Sequence, residues 1–232
     1  MVLIPGFWLG ADSWRDVVPV LKEAGHTVHA LTLPGLDPAS TDRGRIGLAD
    51  QVSAVVATVD ALPGPVVLVG HSGGGSVASL AADRRPEHVW QVVYVDSGPL
   101  GDGDNINDSL PEVDGEVPLP EWAAFDESEL RDLTEELRAR FLRDAVAEPA
   151  RVTSDRAHPT SVRRYDVPST IIGCTMLADQ LNELVESGHP YVAEFGRMRR
   201  RTIIDLPTGH WPQYTKPREL GEAIVRALAE RP

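Results

Sequence analysis

Six short apolar runs recur along the chain, most of them separated by stretches in which apolar residues return every three or four positions. The runs are VLIP (2–5), HTVHALTL (26–33), VVLVG (66–70), VWQVVYVD (89–96), STIIGC (169–174) and RTIIDLP (201–207). They are rich in β-branched residues and predict strands. The intervening periodicity predicts helices over about 12–24, 46–62, 74–84, 177–188 and 216–230. Strand and helix alternating at this spacing imply right-handed βαβ units. The expected fold is therefore α/β: a mostly parallel sheet of about six strands with helices on both faces. A run apolar throughout, such as VVLV, fits a strand buried on both sides.

The alternation fails between about residues 100 and 165. LGDGDNINDSLPEVDGEVPLPEW is loop by its Gly, Asp and Pro content. From Asp126 the pattern turns helical, with Leu130, Leu133, Leu137 and Phe141 at helical spacing. The expected organisation is a core formed by 1–99 and 166–232, with 100–165 inserted as a lid of two or three helices. Ligands of open α/β sheets bind at the strand ends that such an insertion would cover.

Charge is concentrated in the same stretch. Residues 101–136 hold thirteen acidic residues and one basic one, Arg131, within a chain of net charge −13. Nucleic acid and anionic membranes are poor partners for such a surface. No apolar run approaches bilayer-spanning length, and residues 1–9, MVLIPGFWL, predict a core strand and not a signal peptide. A single cysteine, Cys174 in a strand pattern, predicts a buried inert thiol and a reducing, cytoplasmic setting. Two lysines against twenty arginines suggest a bacterial genome rich in GC. No metal-ligand spacing is present, and the assembly expected is a monomer or homodimer.

The chemistry concentrates where the third run ends, at Gly70-His71-Ser72-Gly73-Gly74. A strand that reverses into a helix over one serine is a nucleophile elbow. Bulky flanking side chains would collide there, and the strain exposes the Ser72 hydroxyl above the helix N-terminus. The Gly73 N–H then lies where a developing oxyanion could be held. A competing pattern, Gly73-x-Gly75-x-x-Ala78 with Asp96 as a ribose-binding acid, would indicate a dinucleotide. It is disfavoured because three residues separate Gly73 from Val69, the last apolar residue of the strand.

A serine hydroxyl needs a base. Of seven histidines, His210 in LPTGHWPQYTKP follows the last strand, in a loop that would share the sheet edge with Ser72. A third residue must orient that histidine. Asp96 ends the strand after the elbow strand, Asp179 follows the next strand in GCTMLADQL, and Asp205 lies close to His210 along the chain.

The opening LIPGFWLGADSWRDVVPVLKEAGHTVHALTLPGLD, the elbow VGHSGGG and the loop TGHWP together resemble the α/β-hydrolase fold. The likeness is to the branch of small plant-type esterases and hydroxynitrile lyases. Pro5-Gly6 stands where that branch carries His-Gly. The resemblance implies that Phe7 N–H joins Gly73 N–H in an oxyanion hole. It places an acid eight or nine residues past Pro168, yet Met176 and Leu177 occupy those places and Asp179 comes two residues late. Some lipases of the fold carry the acid where Asp96 stands, which favours Asp96 with Asp179 as the alternative. Trp8, His71 and Trp211 are expected in the substrate pocket, and Trp14 and Trp90 in the core. The implied activity is cofactor-free hydrolysis of a small to medium apolar ester or lactone through an acyl-enzyme. The alternatives are a ligand-binding receptor or lyase on the same fold and, less favoured, an NAD(P)-dependent oxidoreductase.

Overall fold

In the computed structural model, which describes residues 1–229, all six apolar runs become strands. They are β1 (Val2–Ile4), β2 (His29–Ala30), β3 (Val66–His71), β4 (Val89–Val95), β7 (Ser169–Gly173) and β8 (Arg201–Asp205). All pair in parallel, in the order β2-β1-β3-β4-β7-β8. Alternate residues serve opposite cores, as a pleated strand requires. Ile4, Leu68, Tyr94 and Ile171 pack into one cluster, and Leu3, Val69, Val95 and Ile172 into the other.

The first cluster is closed by α2 (Leu48–Ala61), α3 (Gly73–Arg84) and α6 (Ala178–Glu186). The second is closed by α1 (Val18–Glu23) and α9 (Pro217–Ala229). Helix α2 buries Leu48, Val52, Val55, Val56 and Val59, one stripe at helical spacing. Its N-terminus is held where the Asp50 carboxylate accepts the Gly47 N–H at 2.8 Å. No helix among the described residues is long and apolar enough to cross a membrane.

Three expected elements come out shorter. The run 26–33 pairs only at His29–Ala30: Leu31 N–H still reaches Leu3 O at 3.0 Å, but Pro5, which follows β1, has no N–H to donate back to Leu31 and continue the ladder. The helix expected over 12–24 begins only at Val18, after a 3-10 turn at Ala11–Trp14. Pro19 occupies its first turn, where its ring excludes further helix upstream. Residue 230, the end of the helix expected over 216–230, lies outside the described residues. Trp14 is fully buried as expected, but Trp90 is 49% exposed on β4 and is not a core residue.

Between β4 and β7 the chain leaves the sheet. It forms a two-stranded antiparallel ladder of β5 (Glu116–Val117) with β6 (Glu148–Pro149), then α4 (Glu135–Asp144) and α5 (Ala150–Ser154). Helix does not start at Asp126. Turns run to Asp132, whose φ is 63°, and Thr134 caps α4 by accepting the Leu137 N–H at 3.3 Å. The carbonyls of Glu129 and Arg131 accept the His210 and Gly209 N–H groups at 2.8 and 3.1 Å, so they cannot serve a helix. Two short helices follow, α7 (Ala193–Gly196) and α8 (Pro212–Thr215).

A third apolar cluster joins the insertion to the sheet edge. Phe141, fully buried, meets Trp122, Trp211 and Tyr214 with ring centroids 5.3 to 5.5 Å apart. Phe141→Ala is expected to cost about 3–5 kcal/mol, as for other buried aromatics cut to alanine. A denaturant melt measures this, and a loss below about 1 kcal/mol would mean that the cluster collapses without consequence.

Candidate active site

Ser72 joins β3 to α3 with φ 51° and ψ −129°, backbone angles uncommon for a residue with a side chain. The turn is so tight that a β-carbon at Gly74 would collide with the Pro5 carbonyl. The loop after β1 therefore rests on the elbow. Ser72 is anchored by its N–H to Val95 O at 3.1 Å, and its carbonyl accepts the Ser97 hydroxyl at 2.6 Å.

The Ser72 Oγ–H lies 2.8 Å from His210 Nε2, and His210 Nδ1 lies 2.7 Å from Asp96 Oδ2. A carboxylate only accepts, so Nδ1 carries the proton and Nε2 is left to accept from the serine. His210 is held in place by its loop. A β-carbon at Gly209 would collide with the carbonyls of Glu129 and Arg131, which receive the amides of this turn.

Asp96 ends β4 in the left-handed region, with φ 45°. Its Oδ1 accepts N–H groups of Cys174 and Thr175 at 3.0 and 2.9 Å, and the Thr175 hydroxyl donates at 2.9 Å to Oδ2. Burial works to raise its pKa. The His210 hydrogen bond, the His210 charge and these amide donors outweigh burial and leave the carboxyl below its ordinary value. Cys174 itself is fully buried, and burial followed by the Asp96 charge pushes its thiol well up, so it stays neutral.

The other acids lie elsewhere. Asp179 is exposed in the first turn of α6, and Asp205 caps that helix by accepting the Ala178 N–H at 2.7 Å. Neither bonds His210.

A cavity of about 1360 Å³ opens above Ser72. Phe7, Trp8, Gly73 and Trp211 line it, and its outer part reaches Asp102, Asp104 and Arg156 of the insertion. His71 does not line the cavity, against expectation. It is fully buried beneath the elbow, with Nε2 2.6 Å from His210 O and Nδ1 3.1 Å from Gln213 Nε2. The Gln213 amide donates to Nδ1, so Nε2–H donates to the His210 carbonyl. Burial, and then the His210 charge, lower the His71 pKa to about 3 and keep it neutral. Sequence reasoning missed Thr175, Gln213 and the Glu129 and Arg131 carbonyls, because each acts through a contact distant in sequence.

Residues 1–223 match the alpha/beta hydrolase family. The carbendazim hydrolyzing esterase of a Nocardioides species is 26% identical over 236 residues, 97% of each chain. Methylesterase 8 of Arabidopsis thaliana is 40% identical over 102 residues, 41% of this chain and 36% of its own. The crystal structure of the Arabidopsis methylesterase protein MES16 superposes with a TM-score of 0.76 at 18% identity, covering 98% of both chains. The match over nearly the whole length, and the fold that goes with it, make this chain a member of the alpha/beta hydrolase family, similar to its plant-type esterases.

Proposed function

We propose that the protein is a serine esterase or lactonase acting on small to medium apolar esters. The observation that carries this reading is the unbroken hydrogen-bonded array from Ser72 through His210 to Asp96. Ser72 Oγ attacks the ester carbonyl carbon as His210 Nε2 takes its proton. The carbonyl π pair moves onto oxygen, and the Phe7 and Gly73 amides receive the resulting oxyanion. When the tetrahedral species collapses, His210 returns the proton to the departing alcohol and an acyl-Ser72 ester remains. Water, deprotonated by His210, attacks that ester and a second collapse releases the acid. Asp96 stabilises the imidazolium in both halves. No cofactor takes part.

Residues 100–165 act as the lid. The wall near Ser72 supplied by Phe7, Trp8, Phe125 and Trp211 suits an apolar acyl or alcohol group, and the cavity admits a small molecule. The names of the carbendazim hydrolyzing esterase and the methylesterases support the same class of reaction. A screen of p-nitrophenyl esters of graded chain length, with small lactones beside them, tests the reading. A protein inert towards all of them fails it and favours a receptor.

Cyanohydrin cleavage, which shares this branch of the fold, is expected to be absent. Departing cyanide needs a nearby cation; among the described residues no lysine lines the cavity, and its two arginines are already paired, Arg156 with Asp108 at 3.4 Å and Arg197 with Glu194 at 2.7 Å. Trp211, following His210, is buried among Trp122, Phe125 and Phe141. Lys216 donates instead to the Pro207 carbonyl at 2.7 Å. Assaying mandelonitrile beside a p-nitrophenyl ester checks this. Ser72-dependent cyanide release faster than ester hydrolysis would overturn the assignment.

A further inference from the structure

Trp8 follows Phe7 with φ 66°, and the two form the corner of a turn closed by Leu9 N–H to Gly6 O at 3.3 Å. A turn usually reserves this left-handed position for glycine. Trp8 is kept there by three hydrogen bonds. Its N–H donates to Glu148 Oε2 at 3.2 Å, its carbonyl accepts the Val146 N–H at 2.8 Å, and its indole N–H donates to Val117 O at 3.1 Å. All three partners belong to the insertion. By contrast, the Phe7 N–H, one peptide plane away, donates to no protein acceptor among the described residues.

Glu148 is 1% exposed. Its second oxygen, Oε1, accepts Gln51 Nε2–H at 2.8 Å, and the same amide also donates to Pro34 O at 3.2 Å. Among the described residues no cation pairs with this buried carboxyl. On the elements around it, Arg43 pairs with Glu116 at 3.4 Å, Arg45 with Asp42 at 3.2 Å and Arg151 with Asp155 at 3.4 Å, while Asp50 of α2 accepts the Gly47 N–H at 2.8 Å. Burying a carboxylate without a counter-charge is costly, and apolar residues would pack such a site at lower cost. What the carboxylate alone provides is two acceptor oxygens for two N–H donors on separate elements, α2 and the loop after β1.

We propose that Glu148 is a positioning residue for the oxyanion hole. Its carboxylate fixes the Trp8 amide and so sets the direction of the Phe7 N–H, coupling the insertion to the reacting carbonyl. The inference rests on the esterase reading above. A glutamine at 148 would turn an NH2 group towards either Trp8 N–H or the Gln51 amide, and one donor would lose its acceptor. Protonation would have the same effect. Burial raises the Glu148 pKa to about 7, partly opposed by the Gln51 and Trp8 hydrogen bonds. The carboxylate form is therefore gained as pH rises through neutrality.

The test compares p-nitrophenyl acetate with its thiono analogue, whose sulfur is a weak acceptor and draws little from oxyanion donors. In Glu148→Gln, kcat for the oxoester should fall about tenfold, less than the ~10²–10³ seen when a whole donor is removed. KM should stay within about twofold, and the thiono rate should change little, so the oxo-to-thiono ratio drops. The wild type needs no substitution. Any ionisation that affects both substrates equally divides out of the ratio, which should rise with pH through about 7, tracking Glu148. A ratio unmoved in Glu148→Gln, or flat with pH in the wild type should that variant not fold, overturns the proposal. Ester turnover that survives Ser72→Ala would instead sink the esterase reading beneath it.

Discussion

Ser72→Ala is expected to lower ester turnover on the order of 10⁶-fold, the scale on which serine hydrolases respond to loss of the nucleophile. It should also abolish labelling by a fluorophosphonate probe that modifies the wild type. The hydroxyl bonds only the His210 imidazole, at 2.8 Å, so its removal breaks no structural contact. The elbow is held by the backbone of Ser72 and by Ser97, at 3.1 and 2.6 Å, and these bonds survive the change. The thermal midpoint should therefore hardly move. Active-site titration and a melt on the same preparation separate loss of chemistry from loss of fold. Labelling that persists in the alanine variant would place the nucleophile elsewhere.

Asp96→Asn is expected to cut turnover about 10⁴-fold without unfolding the protein, the effect known for an acid replaced by its amide. The geometry gives the reason. Oδ1 of Asp96 faces two N–H groups, of Cys174 and Thr175, so the asparagine must keep its oxygen there. Its NH2 then points at His210 Nδ1 and donates to it. That forces the ring proton onto Nε2, where it faces the serine and prevents acceptance of the serine proton. Asp179→Asn, at an exposed helix turn, should leave the rate within about twofold. The reverse ranking would return the acid to the loop after β7.

The same shift bears on stability. The folded pKa of Asp96 lies below its ordinary value. The stabilisation that goes with it is present in full above the unfolded value and is lost as pH falls through the folded one. The stability deficit of the asparagine variant relative to wild type should therefore shrink as pH falls below the ordinary carboxyl range. Urea melts at neutral pH and at about pH 3 measure this.

Ser72 and His210 were legible because each lies in a short local pattern, a glycine-flanked elbow and a Gly- and Pro-bounded loop after a strand. The acid was legible only as a preference for Asp96 over Asp179, because its selection is tertiary. The loop after β7, where the resemblance places an acid, instead turns the amides of Cys174 and Thr175 towards β4 and donates to Asp96. No spacing rule announces that exchange of roles. His71 misled for the opposite reason: it sits beside the nucleophile in sequence, but strand alternation sends its side chain under the elbow. The helix expected from Asp126 failed because backbone carbonyls at 129 and 131 serve the histidine loop, a demand invisible to periodicity.

Those carbonyls carry a practical consequence for anyone exchanging specificity loops among relatives of this enzyme. The insertion touches both halves of the machinery through main-chain atoms, at Val117 and Val146 on Trp8 and at Glu129 and Arg131 on the histidine turn. A transplant chosen for its pocket-facing side chains but differing in length between these points would arrive with a new register, detuning the reaction while improving the fit. Cut sites belong at the exposed residues 102–104 or 107–109, upstream of all four anchors.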